Sequence, residues 1–131
     1  RRFARLLVEQ AGIALIHGHS SHHAKGIELI DGCAALYGCG DFLTDYEGIS
    51  GHEQFRDDLP LMYLPTFAVG SSRLSSFEMV PLQLRRFQLT CPSDADIRWL
   101  HHTLERECAR LAVTLDRTDE RRLALAIPRA D

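Results

Sequence analysis

The sequence predicts an α/β fold, a mixed sheet with hairpins and flanking helices. Three observations carry that expectation. An amphipathic stretch at helical spacing runs directly into a short apolar strand at the start of the chain, and an Asp31-Gly32 pair separates two apolar runs of strand length. Residues 93–111 then repeat apolar side chains at helical spacing behind a capping signal. At 131 residues the chain suits one domain, and a domain near this size buries roughly 68% of the surface its unfolded chain exposes.

In chain order, Arg1 to Ala11 places Phe3, Leu6, Leu7 and Ala11 on one face of a helix, with Gly12 as a natural stop. Ile13 to Ile16 follows as a buried strand. A helix followed by a strand is half of a βαβ unit, so its first strand is expected before Arg1, and the fold reads as cut on its amino side. Four of the seven histidines, His17, His19, His22 and His23, come next. The carboxyl ends of strands are where open α/β sheets gather ligands and ions.

A hairpin is expected over residues 26–37, with strands Ile27 to Ile30 and Cys33 to Tyr37. Asp-Gly is favoured between them because both central positions of the tight turn need positive φ. Gly38 and Gly40 flank Cys39, which marks a backbone bent tightly or approached closely. The hairpin should carry Asp41 back toward the sheet end where the histidines emerge. Residues 44–58 hold Asp45, Glu47, His52, Glu53, Asp57 and Asp58 without apolar periodicity, an irregular loop that is either solvated surface or functional.

Leu59 to Leu64 reads as a strand ended by Pro65, and Gly70-Ser71-Ser72 turns the chain into a strand from Leu74 to Leu84 that Pro81 interrupts or bulges. Arg85 and Arg86 fit an exposed strand edge or an anion site. The helix Ser93 to Leu111 opens on a capping box, Ser93 with Asp96, and carries the stripe Ile97, Leu100, Leu104, Cys108 and Leu111. His101 and His102 fall between stripe positions as exposed helix residues without evident metal partners. Val113 to Asp116 and Leu123 to Ile127 complete a terminal hairpin around Thr118-Asp119-Glu120.

Composition narrows the function classes. A hydrophobic share of 45% and a charged share of 25% are ordinary for a soluble globular protein. The net charge of −3 leaves no basic footprint for nucleic acid or an acidic membrane. No run approaches the ~18 apolar residues of a membrane span. The chain does not begin with Met and carries no secretory apolar region, which leaves its location open between the cytoplasm and membrane attachment through a segment before Arg1. Cys33, Cys39, Cys91 and Cys108 match no zinc or redox spacing and read as reduced thiols. Cys39, between glycines, is a conceivable nucleophile if exposed, although nothing nearby in sequence fixes a base against it.

Neutral imidazoles close together make a site for Zn, Mn or Fe, and a nearby carboxylate shifts the preference toward harder metals. By spacing alone the cluster reads either as structural or exposed histidines, or as a metal or phosphate site. Gly18 lets the backbone turn so that neighbouring imidazoles converge.

The ordered segments GHSSHH (18–23), GIELIDG (26–32), LYGCGDF (36–42), DYEGI (45–49), FRDDL (55–59) and MVPLQLRRFQL (79–89) carry a resemblance. Together they resemble the carboxyl-terminal half of the bacterial capsule synthesis protein CapA family, also called poly-γ-glutamate biosynthesis proteins, over about Phe3 to Leu125. That family is similar to calcineurin-like metallophosphoesterases. The resemblance therefore implies the carboxyl-terminal portion of a metallophosphatase-like αββα sandwich, with a metal-dependent phosphoesterase-like hydrolase site at its strand ends. It maps the family's final glycine-histidine motif onto Gly18, His19 and His22. His19 and His22 are thereby implied as metal ligands, and His22 and Asp41 as catalytic side chains, Asp41 binding a metal-bound water or a histidine outside the direct ligand set.

Two departures stand out: Ser20 occupies a position where the family often has histidine, and Gly40-Asp41-Phe42 replaces the family's GNF. The aspartate-rich metal motifs are expected upstream of Arg1. The implied cofactors are divalent metal ions, two in the full-length protein (Mn, Fe or Zn). The implied partners are the amino-terminal half of the same domain and a phosphoester or γ-glutamyl substrate, and the fragment alone is expected to be inactive. The alternative is a nonenzymatic assembly or export component of capsule or poly-γ-glutamate production.

Overall fold

In the computed structural model the residues described are 1–19, 21–45, 51, 53–71, 73–118 and 121–128. Among them the expected mixture of helices, hairpins and mixed sheet is present. Helix α1 (Arg2–Ala11) leads into β1 (Leu15–His17), followed by β2 (Ile27–Ile30) and β3 (Cys33–Leu36). These strands form a sheet in the order β1-β3-β2, with β1 parallel and β2 antiparallel to β3. A second, antiparallel sheet has the order β4-β5-β9-β8, built from β4 (Leu61–Phe67), β5 (Leu74–Pro81), β8 (Leu115–Arg117) and β9 (Leu123–Leu125). Between β5 and β8 come the small hairpin β6 (Gln83–Arg85) and β7 (Gln88–Thr90), then helix α2 (Asp94–Ala109).

The period-two alternation of the first hairpin sorts its side chains onto two faces. Ile27, Ala34 and Leu36 join one core with Phe77 and Met79 of the second sheet and with Leu100, Leu104 and Cys108 of α2. Ile30 and Ala35 point the other way and pack with Ala4 and Val8 of α1. The tight turn behaves as its chemistry requires, Asp31 at φ 48 and Gly32 at φ 81. Helix α2 also starts as expected: Ser93 accepts from the Asp96 amide, and the Asp96 side chain returns to the Ser93 amide. Its buried stripe is Ile97, Leu100, Leu104 and Cys108, while Leu111 lies beyond the helix end.

Several expectations are corrected. The face of α1 that meets the sheet is Ala4 and Val8, flanked by Arg1 and Arg5, and Phe3 is left 71% exposed with Leu6 also outward. The cause is Glu28, a β2 residue only 1% exposed, whose carboxylate accepts from Arg1, Arg5 and the Tyr37 hydroxyl. A buried carboxylate needs such partners, and arginines one helical turn apart supply them at the expense of the more apolar face. These bonds hold the Glu28 carboxyl down at about 2.

Strand β1 begins two residues late, because the Gly12 and Ile13 amides return to the Val8 and Leu7 carbonyls and so complete the helix end. It is an edge strand, half-buried at Leu15 and Ile16. Pro65 does not end β4, which runs on to Phe67; an edge strand tolerates a missing donor on its outer side. Strand β5 stops at Pro81, and the chain doubles back through Arg86 (φ 51) and Phe87 (φ 57). Arg85 and Arg86 are exposed at that turn.

In the acidic 44–58 stretch, residues 46–50 and 52 lie outside the described set, Glu47 and His52 among them. Its end is anchored: Arg56 donates to Asp58 at 2.7 Å and to Asp96 of α2 at 2.8 Å, and Gln83 donates to Asp58. Among the described residues no helix is long and apolar enough to cross a membrane.

Candidate functional site

Since β1 and β3 are parallel, the segments leaving their carboxyl ends emerge side by side. Main-chain bonds then knit the two segments together. The Gly18 amide donates to the Leu36 carbonyl at 2.9 Å, and the Gly18 carbonyl accepts from Cys39 at 3.0 Å. Lys25 donates to Gly38 at 2.9 Å, and Asp41 to the His22 carbonyl at 3.2 Å. Gly18 is required for this approach rather than for a turn: an added Cβ would lie 2.7 Å from the Leu36 carbonyl oxygen.

Asp41 is thereby delivered to the histidines. Its Oδ2 lies 2.7 Å from Nδ1 of His22. With Nδ1–H donating to the carboxylate, the neutral ring keeps Nε2 as its lone-pair nitrogen, the arrangement by which carboxylates orient metal-binding histidines. His19 makes a separate pair, its Nε2 2.9 Å from Nδ1 of His17. His17, His19 and Asp41 line one open cavity of about 540 Å³, together with Met62 and Tyr63.

His23 goes elsewhere. It stacks on Phe55, ring centroids 4.5 Å apart, and borders another cavity with Lys25 and Trp99. Burial pushes its pKa down. Ser20 lies outside the described residues.

One side chain that the sequence reading gave no role here, Tyr63, also lines the cavity. Tyr63 sets its ring edge-on to His17 and donates from its hydroxyl to the Cys39 carbonyl at 3.0 Å. Its alternation with Leu61 and Pro65 along β4 was the available signal. Cys39 is corrected: it is 5% exposed, and burial pushes its thiol up to about 11, which removes it as a nucleophile.

The donor chemistry suits a borderline divalent cation, imidazole nitrogen beside a carboxylate. The number falls short of a closed set, since the four positions of a tetrahedral centre need more than these pairs provide. Among the described residues, His, Cys, Asp and Glu ligand atoms gather three at a time within 4.8 Å on α2, at His101, His102 and Glu105.

Residues 1–46 match a family described as bacterial capsule synthesis protein PGA_cap. Two curated relatives, each named a probable polyglutamine synthesis accessory protein, come from Mycobacterium tuberculosis strains CDC 1551 and H37Rv. Each is 47% identical over 111 residues, which cover 85% of this chain and 29% of the relative. The chain thus spans under a third of the length of these relatives.

Proposed function

This chain belongs to the bacterial capsule synthesis protein (CapA) family, and from that premise we propose that His19, His22 and Asp41 are its share of a metal-dependent hydrolase site. The whole domain is then a metallophosphatase-like αββα sandwich, its remaining ligands lying in polypeptide outside residues 1–131. The observation that carries this reading is the 2.7 Å contact between His22 and Asp41 at the edge of a cavity that His19 also lines. When bound, divalent ions (Mn, Fe or Zn) supply Lewis acidity and an activated water to a phosphoester or γ-glutamyl substrate.

The residues of this chain have distinct tasks in that scheme. Asp41 is a positioning residue: it accepts Nδ1–H of His22 and fixes which nitrogen faces outward. His22 offers Nε2. His19, its Nε2 paired with Nδ1 of His17, offers its imidazole from the same cavity that Asp41 lines. Removing a carboxylate that orients a histidine ligand costs about 10–100-fold in metal affinity.

A second reading, a nonenzymatic assembly or export component, is supported by two facts. The relatives carry the word accessory in their names. His17 and His19 also pair with each other, and His22 pairs with Asp41.

The test is metal analysis of the full-length protein, wild type against His19→Ala, His22→Ala and Asp41→Asn, followed by hydrolysis of phosphoesters and γ-linked glutamate peptides. Reduced occupancy in the variants with metal-dependent turnover in the wild type is the expected result. Unchanged occupancy removes these residues from a metal site. Occupancy without turnover of either substrate class assigns the accessory role.

A further inference from the structure

Helix α2 carries a histidine-rich corner on a different element from the β1 end. His101, His102 and Glu105 are related by one and four residues, so they share the helix surface around a single turn. One nitrogen from each imidazole and a carboxylate oxygen lie within 4.8 Å of one another.

The His101 ring is already anchored. Its Nε2 is 3.3 Å from the Leu115 carbonyl of β8. With Nε2–H donating there, Nδ1 holds the lone pair of the neutral ring. A backbone carbonyl on the far nitrogen is the usual way in which a metal-binding histidine is oriented.

His102 and Glu105 are not locked to each other, since Nδ1 and Oε2 stand 3.6 Å apart, beyond a charge-assisted hydrogen bond. Both are exposed, and their side chains can swing inward at little cost. Ligand atoms of a tetrahedral zinc centre stand about 3.4 Å apart at ordinary bond lengths. The step from a spacing within 4.8 Å to that value falls to two exposed side chains, His102 and Glu105. The helix beneath is rigid, pinned by buried Leu100, Leu104 and Cys108 and by the Ser93 cap.

We propose that His101, His102 and Glu105 form a surface site for a late first-row divalent cation such as Zn²⁺, with two imidazoles, one carboxylate and solvent as its donors. Two nitrogens and an oxygen are a borderline set, which favours zinc, nickel or copper over magnesium or calcium. The site is independent of the hydrolase reading, because none of its ligands belongs to the β1 end.

The experiment is calorimetric titration of untagged, chelator-stripped full-length protein with Zn²⁺, and with Mg²⁺ as the contrasting ion. Wild type is compared with His102→Ala, Glu105→Gln and the double variant His19→Ala/His22→Ala. Because residues 102 and 105 are exposed, circular dichroism should show α2 intact in their variants. The expected result is the loss of one zinc equivalent, or at least about tenfold weaker binding of it, in His102→Ala and Glu105→Gln. That equivalent should persist in His19→Ala/His22→Ala, and Mg²⁺ should not compete for it. The same zinc isotherm in wild type and His102→Ala would overturn the site whatever becomes of the β1-end histidines.

Discussion

Replacing Glu28 by glutamine keeps the shape of the side chain and removes a buried charge that two arginines and a tyrosine hold in place. The carboxyl sits at about 2 against an ordinary value of 4.5, with the Arg1 hydrogen bond as the largest cause and burial opposing it. At 1.36 kcal/mol per pKa decade, that depression corresponds to about 3 kcal/mol of stability at neutral pH. The side chains of Arg1 and Arg5 are 56% and 50% exposed, so water screens part of their share, and glutamine still accepts from Tyr37. The expected loss is therefore about 2 kcal/mol.

The sign follows from the depressed value. Stabilisation is complete above pH 4.5, declines as pH falls toward 2, and is absent below it. Urea unfolding of wild type and Glu28→Gln from pH 7 to pH 2 measures this directly. The gap between the two proteins should be about 2 kcal/mol at pH 7 and close to zero near pH 2. A gap of the same size at both ends would place the cost in shape rather than charge, and no gap at pH 7 would refute the reasoning outright.

Gly18→Ala drives a methyl group to 2.7 Å from a main-chain oxygen that cannot swing aside; it should cost about 1–3 kcal/mol in urea unfolding, and an unchanged midpoint would deny the close approach. Ser93→Ala removes the acceptor for the Asp96 amide and should cost about 1 kcal/mol, an effect that vanishes if water caps the helix equally well. Alkylation of the native protein should label exposed Cys91 first, while Cys39 and Cys108, buried and with thiols pushed up in pKa, react only after unfolding. Early labelling of Cys39 would contradict its burial.

What was legible in the sequence was local chemistry. Asp31-Gly32 specifies its turn, and Ser93 with Asp96 specifies its cap, because the interacting atoms lie within a few residues. The return of Asp41 to the histidines was also readable, since a tight hairpin after a strand brings the chain back beside it. The inward face of α1 was not. Helical periodicity identifies the more apolar side, but the sheet selected the side with arginines because Glu28, seventeen residues beyond the helix, is buried against it.

The Arg86-Phe87 turn carried no signal, because neither residue favours positive φ. Pro65 misled for a related reason, since strand order decides whether its missing donor matters. On α2 the spacing of His101, His102 and Glu105 was visible throughout. The Leu115 carbonyl that fixes the first ring belongs to a later strand, and only packing could reveal it.

The segments 18–25 and 36–41 are fastened to each other by peptide groups, while the exposed His17 and His19 imidazoles pair with one another and take no part in that fastening. Ligand identity and scaffold integrity are therefore separate inheritances. On the proposed metal reading, a descendant could exchange histidine for aspartate or cysteine at 19, and with it the preferred ion, and still fold along the same path. Relatives with one architecture and differing chemistry are what such an uncoupled design would leave behind.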